Sequence, residues 1–233
     1  MIMLKIEPRK NRSNFLEVSA PVIAVFLTMI FGGFLFLSMG KNPFEAIKLI
    51  FWDPIMSPTF SEYSRPQLVI KAAPLILIAL GLSFGFRANI WNIGAEGQYI
   101  MGALISGSIG LALYPLDSMV IFPLMILGGI IGGILWAMIP AILKIRFNTN
   151  EILVSLMLVY VAEQILALAS VGFLRNPEGL GFPGSRDLSK YPSAANPELI
   201  ANSGIHMGVI FSIIAVIVLT YFLIYHRLGF QIK

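Results

Sequence analysis

Six times along this chain, about twenty consecutive residues pass with at most one acid, lysine or arginine among them. An α-helix rises 1.5 Å per residue, so about 20 apolar residues cross a hydrocarbon core about 30 Å thick. The runs fall at about 18–39, 67–86, 94–114, 119–143, 152–174 and 205–225. Each reads as a transmembrane helix. Only 12% of the residues are charged, against about 25% in an ordinary soluble domain. So little charge cannot cover a water-facing surface, and lipid is the simplest apolar surrounding. The sequence therefore predicts an all-α, polytopic integral membrane protein with about six spans in one domain, 1–233. The lipid bilayer is its first partner.

The first run is too long for the roughly 7–15-residue apolar region of a signal peptide, and no A-x-A site follows it. Residues 1–17 are basic and read as a cytoplasmic tail. An even number of spans then places two longer connections, 40–66 and 175–204, outside. Both are rich in Pro, Asn and Ser. Lys144, Arg146, His226 and Arg227 fall inside, where short basic segments belong.

Composition also excludes chemistry. The chain has no cysteine, so disulfides and thiolate metal sites are ruled out. His206 and His226 stand 20 residues apart with no ligand pattern, and no metal or cofactor is expected. The 16 basic residues are scattered, which does not suit a nucleic acid polymer. No phosphate-binding G-x-x-x-x-G-K-[ST] motif occurs, nor a catalytic H-E-x-x-H or G-x-S-x-G.

In lipid, helices associate through small residues, because tails are as apolar as leucine. Gly102, Ser106 and Gly110 recur every four residues in the third run. Gly128, Gly129, Gly132 and Gly133 form two such pairs in the fourth. Both sets predict close helix packing.

One stretch does not fit a plain bundle. Residues 84–99 read FGFRANIWNIGAEGQY, bringing Arg87, Asn89, Trp91, Asn92, Glu96 and Gln98 together. Backbone of this kind is tolerated at membrane depth where it is buried in protein or lines a wet cavity. Transporters use such breaks to meet polar solutes. The other reading is a short loop with Trp91 anchored at the interface. Arg87 and Glu96 are expected to pair if the segment folds back. Asn150 and Glu151 open the fifth run, where a cap and an acid suit a helix start. Glu163 lies about 12 residues into that run, and an ionisable group at such depth is a functional candidate.

The run GLSFGFRANIWNIGAEGQYIMGAL, residues 81–104, resembles a segment of permease subunits of ATP-binding-cassette importers. The nearest branch handles nucleosides and simple sugars and is related to ribose-type and branched-chain amino-acid permeases. Its pattern resembles FRAGLFNIGAEGQ, matched here by Phe86, Arg87, Ala88 and the unbroken stretch Asn92 to Gln98. Asn150-Glu151-Ile152 with Leu156-Met157-Leu158 is similar to a further stretch of that branch, with Val159 where an asparagine is expected. Residues 228–233, LGFQIK, resemble the start of the segment leading to the helix that contacts the ATPase. The resemblance implies a permease without enzymatic activity of its own. It implies a cytoplasmic ATPase, a second permease chain, an extracellular or periplasmic solute-binding protein and a small-molecule solute as partners. It places the chain in the plasma (inner) membrane and implies that Arg87, Asn89, Trp91, Asn92, Glu96, Gln98, Asn150, Glu151 and Glu163 belong to the solute path. Relatives of that kind continue past this point, so the resemblance also implies a C-terminally incomplete permease. A standalone proton-coupled transporter using Glu163 or Glu96 is the alternative.

Overall fold

A computed structural model of the chain describes residues 14–232. Residues 1–13 of the expected cytoplasmic tail, and Lys233, lie outside the described residues. Among the described residues the regular structure is helical, with an isolated bridge between Glu198 and His206 and no strand. The helices are α1 (Asn14–Ser38), α2 (Pro43–Ile47), α3 (Asp53–Met56), α4 (Ser61–Arg87), α5 (Ala95–Ala112), α6 (Ile121–Phe147), α7 (Glu151–Val171), α8 (Met207–Tyr225) and α9 (Arg227–Gln231). Five of them, α1, α4, α6, α7 and α8, are long and apolar enough to cross a membrane. The chain is a polytopic membrane protein.

The expected third span, 94–114, is helical. It forms α5, whose 18 residues rise about 27 Å. Its first turn holds Glu96 and Gln98, so it is helical but not among the five. Within the expected external connection 40–66, residues 43–56 are helical. Asn42 caps α2 by accepting from Phe44 N at 3.0 Å, and Pro43 fits the first helical turn. A π-helical turn, Lys48–Trp52, then leads into α3. The apolar run Leu49 to Trp52 is exposed on it, which a sequence scan for Pro and Asn does not register.

Two compact units divide between Pro66 and Gln67. In the first, Pro43 and Ile47 pack on Gly33 of α1, where a Cβ would meet them at 3.6 and 3.8 Å. Arg65 Nε donates to Ile55 O at 2.7 Å.

In the second unit, α5, α6 and α7 pack on one another. The α5–α6 contact is made by backbone. A Cβ on Gly102 would lie 2.9 Å from Gly129 O, and one on Gly132 would lie 3.1 Å from Met101 O. Gly128 receives the Ile109 side chain, and Gly110 faces Met125 Sδ at 2.8 Å. Ser106 Cβ and Gln98 O stand 3.4 and 3.5 Å from where Gly129 and Gly133 would carry Cβ atoms.

Residues 175–204 are irregular apart from a 3₁₀ turn at Leu188–Lys190. They are tied to the ends of α5 and α6 by Tyr191. Its hydroxyl donates to Leu113 O at 3.1 Å and meets Leu116 O as well. Its ring packs with Ile121, Met125 and Ala194, and that burial pushes the phenol pKa up.

Candidate functional site

The site grows from the way α4 stops. Asn89 takes the left-handed conformation, φ 57°, where asparagine is tolerated better than most residues. Asn89 N then donates to Phe86 O at 3.1 Å and Ile90 N to Gly85 O at 2.8 Å. These two bonds end the helix as a Schellman motif. Residues 90–94 follow without regular structure. Trp91 packs against Phe86 with ring centroids 5.1 Å apart and planes tilted by 34°, and its indole N–H donates to Asn89 Oδ1 at 3.3 Å.

Asn92 organises the rest. Its Oδ1 accepts from Gly94 N at 2.9 Å, and its Nδ2 donates to Gln98 Oε1 at 3.2 Å. Ile93 N donates to Ser155 Oγ on α7 at 3.2 Å. Gly94 presses against the same turn of α7, where a Cβ would lie 2.7 Å from Ser155 O. Gly97 fits between α7 and α6, with Val159 Cα at 3.1 Å and Trp136 Nε1 at 3.2 Å from a Cβ built there. Glycine is required at 94 and 97 because backbone and indole occupy the space of a side chain.

A cavity of about 460 Å³ opens against this segment. Trp91, Asn92 and Gln98 form part of its wall. The end of α6 and the start of α7 form the rest, through Pro140, Lys144, Asn148, Glu151 and Ser155. Asn148, also left-handed at φ 52°, closes α6 through its N–H to Lys144 O at 3.0 Å. Asn150 begins α7 by accepting from Ile152 N at 3.0 Å and Leu153 N at 3.4 Å. The two-cap turn brings Lys144 and Glu151 into an ion pair at the cavity wall.

The predicted residues thus separate. Trp91, Asn92, Gln98 and Glu151 meet at the cavity, with Asn89 holding Trp91. Asn150 serves as a cap. Arg87 and Glu96 are both exposed, and the expected pair between them does not form among the described ion pairs. Glu163 is exposed on α7, 12 residues and about 18 Å along the helix from Glu151. Sequence reasoning missed Lys144 and Ser155 as site residues. Lys144 had a signal, a cation seven residues before an acid across an Asn-Thr-Asn turn. Ser155 had none within its own apolar helix.

The family described as branched-chain amino acid transport system / permease component matches residues 65–233. The glucose ABC transporter permease TsgB13 of Haloferax volcanii is 28% identical, over 99% of this chain and 61% of its own. The nucleoside ABC transporter permease NupB of Lactococcus lactis is 26% identical, over 93% of this chain and 60% of its own. The guanosine ABC transporter permease NupP of Bacillus subtilis is 25% identical, over 91% of this chain and 60% of its own. The chain spans about three fifths of the length of these curated relatives. No solved structure matches it.

Proposed function

This chain belongs to the permease-component family of branched-chain amino acid transport systems, and from that premise we propose that it is the transmembrane permease subunit of an ATP-binding-cassette importer for a nucleoside or simple sugar. The observation that carries the reading is the irregular segment 88–94, held by α5 and α7 with Asn92 and Gln98 at a cavity wall. A polar break at a helix junction is how a membrane protein offers hydrogen bonds to a solute. Relatives named for glucose, nucleoside and guanosine transport support the solute class.

In this reading the solute arrives from an extracellular or periplasmic binding protein. A second permease chain completes the path, and a cytoplasmic ATPase drives it from the plasma (inner) membrane. The N-terminus faces the cytoplasm. Asn92 and Gln98 bond solute hydroxyls or ring atoms, and Trp91 offers an apolar face. Asn89 holds Trp91, while Asn150 and the Lys144–Glu151 pair set the start of α7. Arg87 and Glu96 flank the path at the ends of α4 and α5.

Uptake of radiolabelled guanosine and glucose, in a strain lacking the gene and then restored, tests the reading. Restoration should recover uptake of one of them, and Asn92→Ala should lower it at least ten-fold. Unchanged uptake in Asn92→Ala and Glu96→Ala sinks the residue assignment. The second reading, proton-coupled transport, draws on Glu163, exposed in mid-helix where lipid would disfavour a charge. Uptake abolished by a protonophore but indifferent to ATP depletion would favour it.

A further inference from the structure

Beside the cavity near Lys144 lies a second space. It is a cleft of about 820 Å³ between α4 and the α5–α6 pair. The two spaces share four wall residues, Ile90, Asn92, Gln98 and Ala137. Two are apolar, and the other two are the carboxamides bonded to each other at 3.2 Å. The wall they share, the neck, therefore carries one polar feature.

Charge on the two walls balances. The cleft wall carries no acid, lysine, arginine or histidine. The cavity wall carries one cation and one anion, Lys144 and Glu151, and they are paired. An ion entering the neck loses hydration and meets no counter-charge, which is costly in a water-poor setting. A neutral solute faces no such penalty if its polar atoms find partners. The neck supplies them. Asn92 Oδ1 and one of its N–H groups are engaged, and Gln98 Oε1 accepts that N–H. Among the described residues the Gln98 amide nitrogen has no hydrogen-bond partner, which leaves it two N–H donors.

We infer that the Asn92–Gln98 pair is an uncharged neck that admits neutral solutes rich in hydroxyl or amide groups and rejects those carrying a net or zwitterionic charge. The neck exchanges its own hydrogen bond for bonds to the solute. Sugars and nucleosides meet the condition, whereas amino acids and sugar phosphates do not. The inference rests on the transport reading above only in placing residues 88–98 on the solute path.

Because the chain has no cysteine, Ala137→Cys places a single thiol on the neck and leaves the carboxamide pair intact. Membranes from cells expressing this variant at its own locus are treated with methyl methanethiosulfonate and with its ammonium- and sulfonate-bearing analogues. Each rate is divided by that reagent's rate with free cysteine. The neutral reagent should react at least ten-fold faster than either charged one, and equal rates overturn the inference. Adding Gln98→Glu should raise the ammonium-to-sulfonate ratio at least ten-fold. Lys144→Gln, which frees the Glu151 carboxylate, should move it the same way and serves if the first variant fails to insert. An unmoved ratio in the variant that inserts counts against the neck.

A parallel arm measures wild-type uptake of guanosine, glucose, leucine and glucose 6-phosphate. Uptake of leucine or glucose 6-phosphate overturns the neck. If none of the four enters while the labelling follows the expected pattern, the neck stands and the nucleoside or sugar assignment falls.

Discussion

Helix α5 has glycine-rich neighbours on two sides and treats them differently. At Gly102, towards α6, there is no room: a Cβ would stand only 2.9 Å from Gly129 O. Towards α4 there is a cleft of about 820 Å³, and Gly81 on its wall has nothing within 4 Å of where a Cβ would stand. The same residue type thus closes one side and leaves the other open. Small-residue spacing marks a face, and only the partner's position decides whether that face is sealed or left as a cleft. The closed side fixes α5 so that Gln98, in its first turn, holds its place against Asn92.

The largest test of this contrast is Gly102→Leu against Gly81→Ala. Overpacking against backbone that cannot yield should cost about 3 kcal/mol. Gly81→Ala should stay within about 1 kcal/mol of the parent, on the favourable side, because alanine suits a helix better. Unfolding of the detergent-solubilised variants measures both, and equal losses would erase the distinction. Next in size is Tyr191→Phe, which removes the hydroxyl that reaches Leu113 O and Leu116 O at the α5–α6 end. A loss of about 1–3 kcal/mol is expected, and none would show that the 175–204 segment does not secure the closed side.

Asn150→Ala acts on the cavity side. It removes the cap on Ile152 N and Leu153 N and should cost about 1 kcal/mol. Protease accessibility of the turn at 148–150 should rise with it.

The smallest effect concerns Asp187. The Ser189 hydroxyl and N–H hold its carboxyl below the ordinary value of 3.8. A group with a lowered folded pKa stabilises above its unfolded value, and that stability is lost as pH falls through the folded pKa. Wild type should therefore lose a small increment of stability below about pH 4 that Asp187→Asn lacks. Parallel acid-unfolding curves would show the exposed turn to be energetically silent.

Much of the fold could be read from the chain because lipid imposes a length rule. Residues 18–39 and 205–225 obey it: the apolar span of α1 is Val18–Ser38 and α8 is Met207–Tyr225, each within two residues of expectation. The rule was blunter at 94–114, where Glu96 and Gln98 make a polar first turn of α5. It also missed residues 43–56, since short helices have no membrane-length signature. The site was legible where one segment carries it, as with Asn92 and Gln98, six residues apart. It was illegible where distant residues complete it. Ser155 bonds its own helix at Ile152 O, 3.2 Å, as any serine in an apolar helix does. Its second role, with Ile93, spans 62 positions of sequence.

The contact between Gly94 and Ser155 has a mechanical consequence. Gly94 has no side chain to cushion its contact with the backbone and Cβ of Ser155, and the Ile93 hydrogen bond adds a pin beside the point of contact. The first turns of α7 and the segment carrying Asn92 therefore behave as a lever and its fulcrum. Sliding α7 along its axis by a fraction of an ångström must drag Asn92 with it or shear the pin. A force applied at the Lys144–Glu151 end would be delivered, with little slack, to the neck.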